Sequence, residues 1–192
     1  DRYLAVPRAL GFEVPSVEEV SFPLAAGRPP TGWHDGTEEA VVVHPYSRGE
    51  GKSLGREALG ALLEGLAPLR VILVGVADGA AARLSWPGHV TNWINQTSLA
   101  ELIWCLRAAR WVVSVDSGPM HMAAAVNSNT LGLHTWTDPR KVGPYPVGAL
   151  VWKAGRICHR SQLSAEECLT ESEVDVNAAA DVARWVRERF AR

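Results

Sequence analysis

The sequence has no long apolar run. None of its hydrophobic stretches approaches the roughly 20 residues that a helix needs to cross a bilayer, so a membrane-spanning helix is excluded. It also lacks an excess of charge of one sign. Its 19 Lys and Arg against 21 Asp and Glu leave a formal net charge of −2, and no basic field argues for a nucleic-acid partner. Cysteine is scarce. Cys105, Cys158 and Cys168 are the 3 in the chain, an odd number without the paired spacing of a metal motif. Cys105 lies among Ile103, Trp104 and Leu106 and reads as a buried thiol. Cys158 and Cys168 are expected to be reduced rather than paired, which points to the cytoplasm. No secretory signal pattern opens the chain. It starts at Asp1 rather than Met, so we expect a piece of a longer protein.

The 192 residues are 47% apolar and 21% charged, an ordinary composition for one globular domain with an extension. Residues 1–39 differ from the rest. A short helix is expected over residues 1–10, ended by Gly11, and then Pro15, Pro23, Gly27, Pro29, Pro30, Gly32 and Gly36 break any regular pattern. This stretch reads as a connecting segment running over a domain surface. From residue 40 a strand–helix alternation begins and runs to residue 192 as one domain. Strands are expected at 40–44, 71–74, 89–92, 111–115, 130–134 and, last, 150–153. Helices are expected at 56–66, 80–84, 98–109 and 119–126. Ser98 and Glu101 form a capping box at the start of the third of these. A closing amphipathic helix is expected over 174–190, with Val174, Ala178, Val182, Trp185 and Val186 on one face. Alternation of this kind implies a parallel sheet with right-handed crossovers and helices on both faces, an α/β Rossmann-like domain. Ligands of such sheets bind beyond the carboxyl ends of the strands. The loops to watch are therefore 45–55, 75–79, 93–97, 116–119 and 135–145.

The most informative stretch is residues 112–125. A β-branched run stops at Asp116-Ser117-Gly118-Pro119, and a small-residue helix follows. Pro119 suits a first helical turn, and Gly118 permits a tight turn. The helix N-terminus so formed favours phosphate, with Ser117 and His121 as side-chain donors beside it. The loop after the first strand, residues 45–53, adds Ser47 and Lys52 as further donors on a glycine-containing turn. Gly51-Lys52-Ser53 echoes a nucleotide-binding P-loop, but the first glycine that motif needs is Tyr46 here, so that reading fails. Asp116-Ser117-Gly118 matches one aspartic-protease triplet. That chemistry needs two, so the match carries nothing. Ser117 lacks the nucleophile-elbow context of a hydrolase. Asp116 has an alternative role as a carboxylate offsetting the helix dipole. His44, His121 and His134 fall at strand ends, yet their spacing matches no metal motif. Trp136 and Tyr145 are placed either to flank a base or sugar or simply to pack.

In order, these elements resemble the carboxy-terminal half of the lipopolysaccharide heptosyltransferases, glycosyltransferase family 9. The resemblance is carried by residues 43–52 with their helix, 71–75, Thr97-Ser98-Leu99, Asp116-Ser117-Gly118-Pro119-Met120-His121, and Thr137-Asp138-Pro139-Arg140 with Gly143-Pro144-Tyr145. It covers about residues 40–190. It implies a GT-B fold, in which two Rossmann-like domains enclose the donor and the carboxy-terminal one binds a nucleotide sugar, typically ADP-heptose. By that resemblance Ser47 and Lys52 contact the donor phosphates. Asp116, Ser117, Gly118, Pro119 and His121 line the pyrophosphate and sugar, Thr97 approaches the adenosine, and Asp78 lies near the ribose. Lys52 and His121 then stabilise the departing diphosphate with no metal or other cofactor.

The resemblance further implies that the catalytic base is supplied by an amino-terminal acceptor-binding domain, expected to lie outside this sequence. The implied role is inverting transfer in lipopolysaccharide or cell-surface glycan synthesis. The implied place is the cytoplasm, with peripheral association at the inner face of the bacterial inner membrane. The alternatives are another GT-B nucleotide-sugar enzyme or a non-catalytic nucleotide-sugar-binding module. The chain departs from the family pattern at Tyr46, at Leu54-Gly55, at His134-Thr135-Trp136, and at Asn95, where the family has glycine. Asn tolerates the left-handed backbone that a glycine there would supply.

Overall fold

A computed structural model describes residues 2–14, 22–33, 39–79, 83–145 and 148–190. Seven strands form one sheet in the order β3-β2-β1-β4-β5-β6-β7. They are β1 (Val41–His44), β2 (Val71–Leu73), β3 (Val90–Asn92), β4 (Trp111–Val115), β5 (Thr130–His134), β6 (Leu150–Lys153) and β7 (Arg156–Cys158). The first six run parallel, and β7 pairs antiparallel to β6. The helices are α1 (Arg2–Ala9), α2 (Arg56–Leu66), α3 (Leu99–Ala108), α4 (Gly118–Val126), α5 (Pro139–Val142), α6 (Ala165–Leu169) and α7 (Val176–Phe190).

The period-2 alternation of the strands sorts the core into two layers. On one face Val41, Val43, Val113, Val115, Leu131 and Leu133 pack with Leu59, Leu62, Leu63 and Leu66 of α2 and Ala179, Val182, Ala183 and Val186 of α7. On the other, Val42, Ile72, Val74 and Val112 pack with Leu102, Cys105 and Leu106 of α3 and Ala123 of α4. The strands are therefore buried on both faces, as continuous apolar runs in a parallel sheet require. The capping box at α3 is complete, with Ser98 and Glu101 bonding each other's backbone N–H. Residues 24–28 lie along α3: the Arg28 N–H donates to the Ala100 carbonyl, and Arg107 donates to the carbonyls of Leu24 and Ala25. All three cysteines are free and buried.

The expectations fail in three places. β6 is not the last strand. Ala154 and Gly155, at φ 50° and 81°, form a two-residue turn that returns the chain as β7. Two positive φ values in succession define the hairpin turn that matches strand twist, and an alanine in the first position hid it. The closing helix starts at Val176 rather than 174. Its fully buried face is Ala179, Val182, Ala183 and Val186, while Val174 is buried ahead of the helix and Ala178 and Trp185 are only partly covered. Two short helices, α5 and α6, were not expected. Of the helix expected over 80–84, residues 80–82 lie outside the described residues, as do Pro15 and Gly36.

Candidate functional site

In the strand order, β1 sends its connection toward β2 while its neighbour β4 sends its connection toward β5. The loops after β1 and β4 thus diverge from adjacent strands. A crevice opens between them at the carboxyl edge, the position where open parallel sheets bind ligands. The Lys52 loop follows β1, and the 116–119 turn follows β4.

The Lys52 loop is closed by its own serines. The Ser47 N–H donates to Ser53 Oγ (2.9 Å), whose hydroxyl donates to the Ser47 carbonyl (3.1 Å). Ser47 Oγ accepts the Gly49 N–H (3.3 Å). Ser47, expected as a phosphate donor, is therefore engaged in shaping the turn, with its hydroxyl proton still available. The loop after β5 holds this turn from the side. Thr135 Oγ1 donates to the Gly51 carbonyl (3.0 Å), and Trp136 Nε1 donates to the Glu50 carbonyl (3.0 Å). Lys52 Nζ sits 5.0 Å from the centre of the Trp136 ring, within cation–π range.

The ammonium of Lys52 is not free. It bonds Asp116 Oδ2 at 2.7 Å, with side-chain exposures of 19% for Lys52 and 6% for Asp116. Burial raises the Asp116 pKa, but the Lys52 hydrogen bond, His134 and Thr137 outweigh it and hold the carboxyl below its usual value. Asp116 does not cap α4. No side chain does, so the alternative role for Asp116 as a helix cap is not what the structure shows. Ser117 stands at the N-cap position with extended backbone and donates its hydroxyl to the Val115 carbonyl (3.0 Å). The uncapped N-terminus of α4, begun by Gly118 and Pro119, opens on the crevice beside Lys52. Uncapped helix N–H groups and the dipole behind them are receptive to an anion. His121 lies exposed on the first turn of α4. Its pKa is lowered by desolvation, with Asp116 opposing that shift and Arg160 and Lys52 reinforcing it, so the ring is neutral at pH 7.

Behind the turn His44 is buried, its Nδ1 3.4 Å from both Ser114 Oγ and Ser117 Oγ. Burial lowers its pKa to about 4. Gly75, at φ 125°, lets the loop after β2 press against this ring, where a Cβ would fall 2.9 Å from His44 Cδ2. His134 sits below Asp116 with no exposure and bonds Thr137 Oγ1 through Nδ1 (3.0 Å). His121 and His134 thus both feel the charges of Asp116 and Lys52, while His44 is packed behind the turn against Ser114 and Ser117. Among the described residues no group of three or more His, Cys, Asp or Glu could hold a metal.

Asp78 and Thr97 are carried on the loops after β2 and β3, with Asp78 exposed and Thr97 half-buried. Asn95 ties these loops together, accepting the Ala77 N–H at 3.0 Å and donating to the Ala77 carbonyl at 2.8 Å, and it does sit in the left-handed region at φ 61°. No hydrogen bond or ion pair joins Asp78 or Thr97 to the Lys52–Asp116 pair among the described residues. Trp136 is half exposed and packs against Lys52, while Tyr145 lies under the Arg160 guanidinium, 4.4 Å from ring centre to Cζ. Arg160 and Lys153 were missed from the sequence. Lys153 is fully buried at the end of β6, donates to the Thr135 carbonyl, and has its pKa lowered by burial. A lysine ending an apolar strand was the available signal.

These features define an α/β domain of the kind that forms one half of a GT-B fold, with an anion-receptive crevice at its strand switch point. A family model for glycosyltransferase family 9 (heptosyltransferase) matches residues 68–172, more than half of the chain. The chain belongs to glycosyltransferase family 9. Its fold is similar to that of the Escherichia coli heptosyltransferase WaaC with ADP, at 21% identity and a TM-score of 0.64 over 95% of this chain and 53% of that one. It is similar also to the E. coli ADP-heptose lps heptosyltransferase II, at 20% identity and a TM-score of 0.57 over 88% of this chain and 56% of that one. A family 9 glycosyl transferase from Veillonella parvula DSM 2008 aligns at 15% identity and a TM-score of 0.61 over 83% and 48% of the two chains. The chain thus spans about half the length of these structures. No curated protein matches it.

Proposed function

We propose that this chain is the donor-binding half of an inverting glycosyltransferase, and that its donor is a nucleoside-diphosphate sugar, ADP-heptose by preference. One observation carries the reading: in a family 9 chain, Lys52 and the uncapped N-terminus of α4 meet at the switch point of a parallel sheet. The similar structures of WaaC with ADP and of WaaC with ADP-2-deoxy-2-fluoro heptose support a nucleotide-sugar ligand.

In this reading the diphosphate lies across the α4 N-terminus. Its negative charge is met by helix N–H groups, Lys52 and the hydroxyls of Ser47 and Ser117. Asp116, Gly118, Pro119 and His121 border the sugar, and Thr97 and Asp78 approach the nucleoside. As the glycosidic bond breaks, charge grows on the departing diphosphate, and Lys52 and neutral His121 act as donors to it without a metal. An inverting transfer also needs a base for the acceptor hydroxyl, which we assign to an amino-terminal partner domain. The setting is glycan assembly such as lipopolysaccharide synthesis, in the cytoplasm at the membrane's inner face.

Titration calorimetry of the chain with ADP, UDP and GDP tests the reading. ADP is expected to bind most tightly, and Lys52→Ala to weaken it at least tenfold, the loss of one charge-assisted hydrogen bond of about 1.5 kcal/mol or more. The chain alone is expected to show no transfer of heptose. Absence of binding by all three diphosphates, or equal binding by Lys52→Ala, refutes the donor site, and sustained turnover by the isolated chain refutes the assignment of the base.

A further inference from the structure

We infer that Lys153 is a positioning residue for Lys52: from outside the crevice it anchors the main chain of the loop that grips the Lys52 turn. The inference rests on the donor-site reading above.

Lys153 ends β6 opposite His134 of β5 and has no exposed surface. No ion pair takes up its charge among the described residues. Its ammonium donates instead to the Thr135 carbonyl. The same oxygen accepts the Ser172 N–H at 3.4 Å and the Ser172 hydroxyl at 3.3 Å. Ser172 is itself tied to the turn after β6, where its Oγ accepts the Ala154 N–H at 3.3 Å. A carbonyl oxygen has two lone pairs, so the Thr135 carbonyl is saturated. The ammonium is the charged donor of the set and hence the strongest.

Thr135 passes this anchorage on. Its Oγ1 donates to the Gly51 carbonyl at 3.0 Å, and the next residue, Trp136, donates from Nε1 to the Glu50 carbonyl at 3.0 Å. The Trp136 ring centre is 5.0 Å from Lys52 Nζ. The path from Lys153 to Lys52 is thus made of hydrogen bonds, adjacent residues and a ring contact. Close packing does not hold the loop in their place. Trp136 is half exposed, and a cleft of about 490 Å³ opens beside Gly51, Thr135, Trp136 and Ser172. With open space on that side, polar bonds fix where the loop stands.

Burying an ammonium without a carboxylate is costly, and burial lowers the Lys153 pKa. Replacing buried charged groups by apolar side chains of similar volume is often neutral or stabilising. Without the ammonium, the Thr135 carbonyl would keep Ser172 as its donor. What Lys153 supplies is therefore a fixed loop rather than stability.

Lys153→Met keeps the bulk of the side chain and removes the donor. Indole N–H NMR spectra, with the Trp136 signal assigned by Trp136→Phe, test the anchor without any nucleotide. Lys153→Met is expected to shift the Trp136 signal toward that of an unbonded indole. The signals of Trp111 and Trp185, which pack edge to face on the α7 side of the sheet, are expected to stay in place. The urea midpoint is expected to stay level or rise. ADP affinity is the second readout, and Lys153→Met is expected to weaken it about tenfold. Because Lys153 acts through Lys52, the double variant with Lys52→Ala is expected to bind no more weakly than Lys52→Ala alone. An unmoved Trp136 signal, an unchanged ADP affinity, or a loss that adds in full to that of Lys52→Ala overturns the inference. If wild-type chain binds no ADP, the donor-site reading fails while the Trp136 signal still decides the anchor. If Lys153→Met does not fold, Lys153→Gln, whose amide is one bond short of the carbonyl, carries the same test.

Discussion

Lys52 Nζ and Asp116 Oδ2 lie 2.7 Å apart although the residues are 64 positions apart in the chain. Each comes from the loop after a central strand, and each is largely withdrawn from water. A pair this sheltered is worth more than a surface ion pair, and removing one partner strands the other. We expect Lys52→Met and Asp116→Asn each to destabilise the domain, and the double variant to cost less than their sum by about 1–3 kcal/mol. Urea unfolding of the four proteins measures this coupling, and strictly additive effects would contradict it.

Stability is expected to fall on acidification well before the carboxylates titrate. His44 and His134 both have pKa values lowered to about 4 by burial, against 6.5 for an unhindered ring. Between those values the unfolded chain binds protons that the folded one refuses, so their contribution is complete above pH 6.5 and is lost as pH drops toward 4. By pH 5 the loss is about 2 kcal/mol per ring. Asp116, whose folded pKa is depressed, loses its contribution at still lower pH. Denaturant midpoints at pH 7.5, 6.0 and 5.0 should decline together; a level profile over that range would show the rings to be accessible.

Helix α2 contains two glycines with opposite prospects. A Cβ on Gly60 meets nothing within 4 Å, whereas one on Gly65 would come within 2.7 Å of the Ala183 Cβ on α7. Gly60→Ala gains helix propensity and should stabilise the domain by about 0.5–1 kcal/mol. Gly65→Ala gains the same propensity but wedges two packed helices apart, and overpacking of about 1–3 kcal/mol outweighs it. Thermal melts of the two variants should therefore move in opposite directions, and a shared rise would mean that α7 yields freely.

Much of this architecture is legible in the chain because its signals are local. Runs such as Val41-Val42-Val43 and Val112-Val113 mark strands, Ser98 with Glu101 marks a helix start, and Asp116-Ser117-Gly118-Pro119 marks an abrupt strand-to-helix turn. What escaped is set by partners distant in sequence. Asp116 is as suitable for a helix cap as for an ion pair. Only the adjacency of β1 and β4 brings Lys52 to it. The burial of Lys153 depends on β5 lying beside it and on the Thr135 carbonyl. β7 escaped for a local reason, since Ala154 adopts a backbone conformation that its side chain gives no sign of.

The loop that carries Lys52 is gripped by Thr135 and Trp136 through the carbonyls of Gly51 and Glu50. Both grips end on main-chain atoms, which every amino acid possesses. Mutational drift can rewrite the side chain at position 50 without loosening the loop, while a change at 135 or 136 releases it. The tolerance of this site to sequence variation is thus uneven: position 50 is free to vary, while Ser47, Gly49, Gly51 and Ser53 of the same loop and Thr135 and Trp136 of its neighbour keep the geometry.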